Sequence, residues 1–241
     1  MTGLLRLIPR AIMHILNAGQ GEMTAHDKRQ RMVSEQLRRR DIIDPQVLAA
    51  FGTVPREQFV IPTTEGRAYD DSPLPIGFGQ TISQPYVVAM TVQALALHGH
   101  ERVLEIGTGS GYAAAILSCL AREVHTVERI EDLAAHAAVR LERLGFHNIH
   151  VHHGDGSLGW PAAALYEAIA VAAGAPRPPQ SLLDQLTIGG RMVLPTGEVD
   201  DQRLVRITRR DEHTFVEEDL GDVRFVPLVG VEGWPEQIPV R

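Results

Sequence analysis

Cysteine is nearly absent: Cys119 stands alone among 241 residues. No disulfide can close within the chain, which suits a reducing compartment and leads to the expectation of a cytoplasmic protein. Cys119 lies inside an apolar run over 113–121, where the reading is a buried small hydrophobe rather than a nucleophile. No run approaches the ~18 consecutive apolar residues of a transmembrane helix, so a soluble chain with no membrane partner is expected. Positive charge is short as well. Against 30 Asp and Glu there are 23 Lys and Arg, giving a net charge of −7 and a pI near 5.9; that balance carries no electrostatic footprint for nucleic acid. A G-x-S-x-G nucleophile elbow is missing, which counts against hydrolase chemistry. His150, His152 and His153 cluster, but no spaced cysteine or acid pair completes a zinc set, so no metal is expected. There is no internal repeat or low-complexity tract.

With 44% hydrophobic residues the chain can bury one substantial core. A single domain over 24–241 is expected, its part 24–98 holding N-terminal helices and a long loop and its part 99–241 the main sheet. Residues 1–23 alternate apolar positions with Arg6, Pro9, Arg10 and His14 and carry no clean cleavage signal. They read as a leader, either disordered or a docked helix.

The stretch around which the rest is arranged is 103–112, an apolar run ending in Gly107, Gly109 and Gly111 and opening into an alanine-rich helix. Glycine lets the chain turn sharply and approach a ligand, because no Cβ blocks the way. The spacing is G-x-G-x-G rather than the dinucleotide G-x-G-x-x-G, so alone it is a weak signal. Two acids strengthen it. Glu105 precedes the turn, and Glu128 closes the next apolar run roughly 20 residues on, where an acid accepts hydrogen bonds from a ribose diol. Asp155, between Gly154 and Gly156, is placed either to bond an exocyclic amine or to hold a turn.

Helices are predicted over 24–40 and from Pro45 to before Pro55, the second capped by Asp44. Residues 59–86, broken by prolines and glycines, read as a long structured loop with a function. Beyond the helix at 87–97, strands near 103, 123–127, 148–152, 166–172 and 191–195 alternate with helices at 111–121, 130–144 and 179–186. Such alternation predicts a parallel sheet, and 202–210 with 214–220 an antiparallel pair. The fold class is therefore α/β: a Rossmann-like, doubly wound, mostly parallel sheet with antiparallel C-terminal strands.

Five segments together resemble a known family. They are Leu74-Pro75-Ile76-Gly77-Phe78-Gly79-Gln80-Thr81-Ile82-Ser83-Gln84-Pro85, the glycine-rich stretch 103–112, Val127-Glu128-Arg129, His153-Gly154-Asp155-Gly156 and Arg224-Phe225-Val226-Pro227-Leu228. Over about 32–234 the chain closely resembles the protein-L-isoaspartate O-methyltransferases. The glycine motif resembles S-adenosylmethionine-dependent methyltransferases in general; the block before the first sheet strand is far more specific.

The resemblance implies S-adenosylmethionine as cofactor and S-adenosylhomocysteine as product. It would be held by Glu105, Gly107, Thr108, Gly109 and Ser110, with Glu128 and Arg129 at the ribose and Asp155 and Gly156 near the adenine. The family's active-site serine falls on Ser83, assisted by Thr81, while Ile76, Gln80 and Ile82 belong to the substrate loop. The implied partners are isoaspartyl-containing proteins and peptides, met by a monomer. Their free α-carboxylate is methylated, and the ester closes to a succinimide that initiates repair. An α-carboxylate titrates near ~3.5 and is ionised at neutral pH, so no general base is needed; alignment is what the protein must supply. The alternative for Ser83 is a loop-stabilising hydroxyl. Tyr166-Glu167 and Val171-Ala172 depart from the family's usual Phe-Asp and Val-Thr. Rival readings are a methyltransferase of a small molecule, a non-catalytic cofactor-binding protein and a nicotinamide dehydrogenase.

Overall fold

The computed structural model describes residues 23–236; apart from Met23, the expected leader lies outside the described residues. Two helices come first. Helix α1, Ala25–Arg31, starts at a capping box in which the Thr24 hydroxyl accepts from Asp27 N and the Asp27 carboxylate accepts from Thr24 N. It runs directly into a wider π-helical turn, Met32–Leu37, marked by the bond from Arg38 N to Val33 O at 3.0 Å. The continuous α-helix expected over 24–40 is thus corrected to two pieces, and Met32, Val33 and Leu37 are buried. Helix α2, Pro45–Thr53, begins as its Asp44-Pro45 signal predicts.

The segment expected as a loop over 59–86 has regular structure of its own. Short 3₁₀ turns at Arg56–Phe59 and Pro62–Arg67 lead into a hairpin of β1, Leu74–Gly77, and β2, Gln80–Ile82. At its tip Gly77, Phe78 and Gly79 all have positive φ, which makes a turn tight enough for strands this short. Leu74, Ile76 and Ile82 point inward and are buried. Helix α3, Pro85–Leu95, follows at once, with Pro85 at its first turn and left-handed Ala96 closing it.

The main sheet has seven strands in the order β5-β4-β3-β6-β7-β8-β9. These are β3 Arg102–Ile106, β4 Glu123–Glu128, β5 Ile149–His153, β6 Tyr166–Val171, β7 Leu186–Glu198, β8 Asp201–Arg209 and β9 Phe215–Val223. From β5 to β7 the pairing is parallel; β7, β8 and β9 are antiparallel. Strand β7 is longer than expected because it continues into the hairpin with β8. Helices α4, Tyr112–Ser118, and α5, Glu131–Arg143, pack with α3 and the N-terminal helices against one face. Helix α6, Gln180–Asp184, and Leu228 cover the other. The central strands read as near-continuous apolar runs because both faces are covered.

Cys119 corrects another expectation. At the end of α4 it is exposed rather than buried; its thiol donates to Ala115 O at 3.3 Å, and desolvation pushes its pKa up, away from thiolate reactivity. Among the described residues no helix is long and apolar enough to cross a membrane.

Asp44 Oδ1 accepts from Gln46 N at 2.8 Å and Val47 N at 3.3 Å. Replacing it by alanine leaves those two amides without their cap and should cost about 1 kcal/mol. Asp44→Asn, which keeps an acceptor oxygen, should lose much less; equal urea midpoints for Asp44→Ala and wild type would refute the assignment.

Candidate active site

Strand β3 has β4 on one side and β6 on the other, so the chain reverses its winding there and a crevice opens at the strands' carboxyl ends. The turn after β3 supplies the floor. Gly107, Gly109 and Gly111 all have positive φ, at 93°, 53° and 88°. Space is short too, since a Cβ on Gly109 would stand 3.2 Å from Ile76 Cδ1 and one on Gly156 2.5 Å from Ile106 Cγ2. The resulting cavity, about 250 Å³, exceeds by more than tenfold the room one water requires and is sized for an organic ligand.

Residues expected at the cofactor site converge on this cavity. Glu105, Gly107, Thr108, Gly109, Ser110, Glu128, Arg129 and Gly156 all line it. Glu128 is held from two directions: Oε2 accepts from Gly109 N at 2.8 Å and Oε1 from Ile130 N at 3.0 Å. Arg129 reaches Glu236, at 3.3 Å, across the rim. Asp155 does something else. Its Oδ1 accepts from Ser157 N and Ser157 Oγ, and its Oδ2 from Val231 N at 2.8 Å. Of its two anticipated roles the geometry displays the turn-holding one, extended to pinning the C-terminal segment, and its carboxylate is not part of the cavity lining.

Glu105 is the electrostatic anomaly. It is 1% exposed. A hydroxyl relay leads to it, Thr108 Oγ1 to Thr126 Oγ1 at 2.6 Å and Thr126 Oγ1 to Glu105 Oε2 at 2.5 Å. Its other oxygen, Oε1, is buried without any partner. Desolvation, opposed by the Thr126 bond and reinforced by the Glu128 charge, pushes its pKa up to about 8. The carboxyl is therefore mostly neutral at pH 7 and carries an unused polar atom beside the cavity.

The β1–β2 hairpin forms the opposite wall. Gln80, Thr81, Ile82 and Ser83 line the cavity, whereas Ile76 sits beneath the glycine turn, against the position of Gly109. Among the described residues the Ser83 hydroxyl makes no hydrogen bond, so no loop-stabilising bond accounts for it. Its main chain is fixed instead by Arg56, a residue that sequence reasoning missed. The Arg56 side chain is fully buried; Nε donates to Ala68 O at 2.7 Å, Nη2 donates to Ser83 O at 2.8 Å, and the guanidinium lies 4.7 Å from the Tyr112 ring centroid. Burial pulls its pKa down, offset by Tyr112. No sequence signal near Val54-Pro55-Arg56 marks this role.

A third wall was also overlooked as such. Residues 225–229 line the cavity, anchored where Gly174 N donates to Val226 O and Leu228 N to Gly174 O, both at 2.8 Å. Ala172 lines it too, whereas the other departures from the family pattern are structural: Glu167 Oε2 accepts from Arg102 N at 2.7 Å and Tyr166 Oη donates to Trp160 O at 2.7 Å.

The raised pKa of Glu105 has a direct consequence. The folded protein retains a proton that the unfolded chain releases near its ordinary pKa of 4.5, so stability falls as pH rises from about 4.5 to about 8. Glu105→Gln removes that dependence. Urea midpoints should decline less between pH 5 and pH 8, on the order of the window just given, in the variant than in wild type; parallel curves would contradict the buried neutral acid.

Comparison with known proteins agrees with this geometry. Residues 27–233 match the family model for "Protein-L-isoaspartate(D-aspartate) O-methyltransferase (PCMT)". The protein-L-isoaspartate O-methyltransferase 1 of Rhodopseudomonas palustris (strain HaA2) is 57% identical over 213 residues, 88% of this chain and 87% of the relative. A Pelobacter propionicus protein-L-isoaspartate O-methyltransferase 2 is 56% identical over 208 residues, 86% and 92% of the two chains. Among solved structures, a protein-L-isoaspartate O-methyltransferase superposes with a TM-score of 0.76 at 28% identity, covering 86% of this chain and 67% of that one. A putative Plasmodium falciparum enzyme of the same description, in complex with S-adenosyl-L-homocysteine, gives 0.71 at 26% identity, covering 83% and 98%. With a family model over most of its length, relatives above half identity and a matching α/β sheet, the chain belongs to the protein-L-isoaspartate(D-aspartate) O-methyltransferase family.

Proposed function

We propose that this cleft binds S-adenosylmethionine and that the protein transfers its methyl group to the free α-carboxylate of L-isoaspartyl residues in damaged proteins. The observation that carries the reading is the meeting of the Ser83-bearing hairpin with the glycine turn and Glu128 around one cavity. The residues fit the cofactor. Glu128, immobilised by two backbone amides, keeps lone pairs on both oxygens for a ribose diol. The Glu105 carboxyl, once it gives up its proton, offers the unpartnered Oε1 as an acceptor to a cationic amino-acid end, and the bare backbone at Gly109 and Gly156 admits close approach. Thr108 and Ser110 shape the floor, and Arg129 with Glu236 closes the rim. Asp155 acts on the adenine end indirectly, by fixing the turn that presents Gly156.

Bound S-adenosylmethionine supplies an electrophilic methyl on a positively charged sulfur. The protein's contribution is positional. Ser83 Oγ, free of other bonds and held by Arg56 through its carbonyl, donates to the substrate carboxylate and aims one oxygen at that methyl. Thr81 and Gln80 steady the same group from the hairpin, and buried Ile82 shields it from water. Exposed Phe78 at the tip, half accessible, gives the polypeptide around the isoaspartyl residue an apolar contact. Ile76 serves substrate binding from below, by supporting the glycine turn. No residue is needed as a base. The backbone amide nitrogen that follows then attacks the methyl ester, closing a succinimide and releasing methanol without further help.

The working form is a monomeric cytosolic enzyme whose described residues from 24 on fold as one domain, with proteins and peptides as partners and no role for nucleic acid or membranes. The lone cysteine and the net charge of −7 support that placement.

The test is transfer of labelled methyl to a peptide containing L-isoaspartate, beside the same peptide with normal aspartate. Labelling should be confined to the first; labelling of neither, by protein that binds the cofactor, would defeat the proposal. Ser83→Ala removes one hydrogen bond to a charged group, worth about 1.5–3 kcal/mol, so kcat/KM should drop about 10–100-fold. Ala172→Thr restores a hydroxyl at the cavity wall and should shift peptide KM with little change in cofactor affinity. An unaltered KM would remove Ala172 from the substrate side.

A further inference from the structure

The far end of the sheet holds a second cluster of chemically competent side chains, unrelated to the cleft. Parallel pairing sets His125 of β4 directly opposite His150 of β5. Glu123, two residues before His125, shares its face. Its Oε1 lies 3.3 Å from His125 Nε2 and 3.2 Å from His150 Nε2, and the three atoms are all within 4.8 Å of one another. Glu128 of the same strand borders the cleft, and at about 3.3 Å per residue the two places are about 16 Å apart.

We propose that Glu123, His125 and His150 form a binding site for a zinc-class divalent transition-metal ion. With metal–ligand distances of about 2.0–2.2 Å, tetrahedral ligands stand about 3.3–3.6 Å apart, close to the 3.3 and 3.2 Å found on the two sides of Glu123 Oε1. His125 makes the stronger point. It is 7% exposed, and its Nε2 meets Glu123 Oε1 at 3.3 Å without the alignment of a hydrogen bond, two acceptors facing one another with room for a cation between them. The flanking groups orient the donors as outer partners of a metal site do. Arg102 Nε donates to Glu123 Oε2 at 2.9 Å, leaving Oε1 toward the imidazoles. His125 Nδ1 faces His152 Nε2 at 3.0 Å, and when Nδ1 carries the hydrogen the Nε2 lone pair is free for the ion. His152 is itself stacked on Trp160 at 4.0 Å. Two imidazoles with one carboxylate favour zinc-class ions over magnesium or calcium, which prefer all-oxygen shells. Half-exposed His150 gives the ion a way in and leaves the fourth position to water.

The sequence led to the expectation of no metal because no spaced cysteine or acid pair completes a zinc set beside His150, His152 and His153. Glu123 is brought by strand pairing, 27 positions before His150 in the chain.

The experiment uses the full chain stripped with a chelator, titrated with zinc chloride by calorimetry and with cobalt(II) by visible absorption. Wild type should bind one equivalent, with the intense cobalt bands of tetrahedral coordination, and melt at a higher temperature in zinc. His150→Gln, at a half-exposed position, should fold and transfer methyl groups as wild type does, but bind zinc at least tenfold more weakly and lose the thermal shift. His213→Gln, on the exposed turn before β9, should match wild type. Zinc binding of equal strength in His150→Gln, loss of it in His213→Gln, a preference for magnesium, or no binding by wild type would each overturn the assignment.

Discussion

The site depends on one carboxylate held by two loops. Glu128 ends β4, accepts from Gly109 in the turn after β3, and accepts again from Ile130 where α5 begins. A charged acceptor bonded by two backbone amides is a strong tie, and here it joins the segments that leave two neighbouring strands at the switch point. It adds to the backbone bonds from Gly107 N to Val127 O and from Gly111 N to Thr108 O that shape the glycine turn. Because the same oxygens retain lone pairs, the group that builds the crevice is also the one proposed to meet a diol within it.

A second tie reaches the crevice from outside the sheet. Arg56 is a cation with no exposed surface, and its bonds to Ala68 O and Ser83 O couple the 3₁₀ turns to the end of the hairpin. Bonds from a charged donor are about twice as strong as neutral ones, and the Tyr112 ring beside the guanidinium offsets part of its desolvation. Tyr112 is also the first residue of α4, immediately after the glycine turn. The glycine turn and the hairpin wall of the cavity therefore share a buried neighbour, which ties their spacing to a packed contact.

What the sequence discloses follows from the range of the interactions involved. The parallel strands were legible because β3, β4 and β6 are buried on both faces and are rich in apolar and β-branched residues between helical segments. Asp44-Pro45 and the G-x-G-x-G turn were legible because caps and turns are local. Arg56 was not, since its partners lie 12 and 27 residues away. The β1–β2 hairpin was hidden by prolines at 73, 75 and 85 and by a turn needing left-handed Phe78, a conformation that residue type does not announce. The exposure of Cys119 turns on where α4 stops, and helix ends are poorly marked in sequence. For Asp155, the sequence left two roles open; Val231, 76 residues on, draws its carboxylate toward the tail. The resemblance supplied Ser83, which no local pattern singles out.

Glu105 shows why a binding site should contain a destabilising group. A carboxyl buried with one oxygen unpaired costs the free fold stability at every pH above its ordinary pKa. The cost arises from desolvation and from Glu128 nearby, and a positive charge in the cavity would compensate both by favouring the ionised carboxylate. S-adenosylmethionine carries such charge on its sulfur and on its amino group, whereas S-adenosylhomocysteine has lost the former. A cationic cofactor therefore gains from releasing the Glu105 proton, and the product gains less. Under the proposed function, the same buried acid that weakens the empty protein would favour the cationic cofactor over the product.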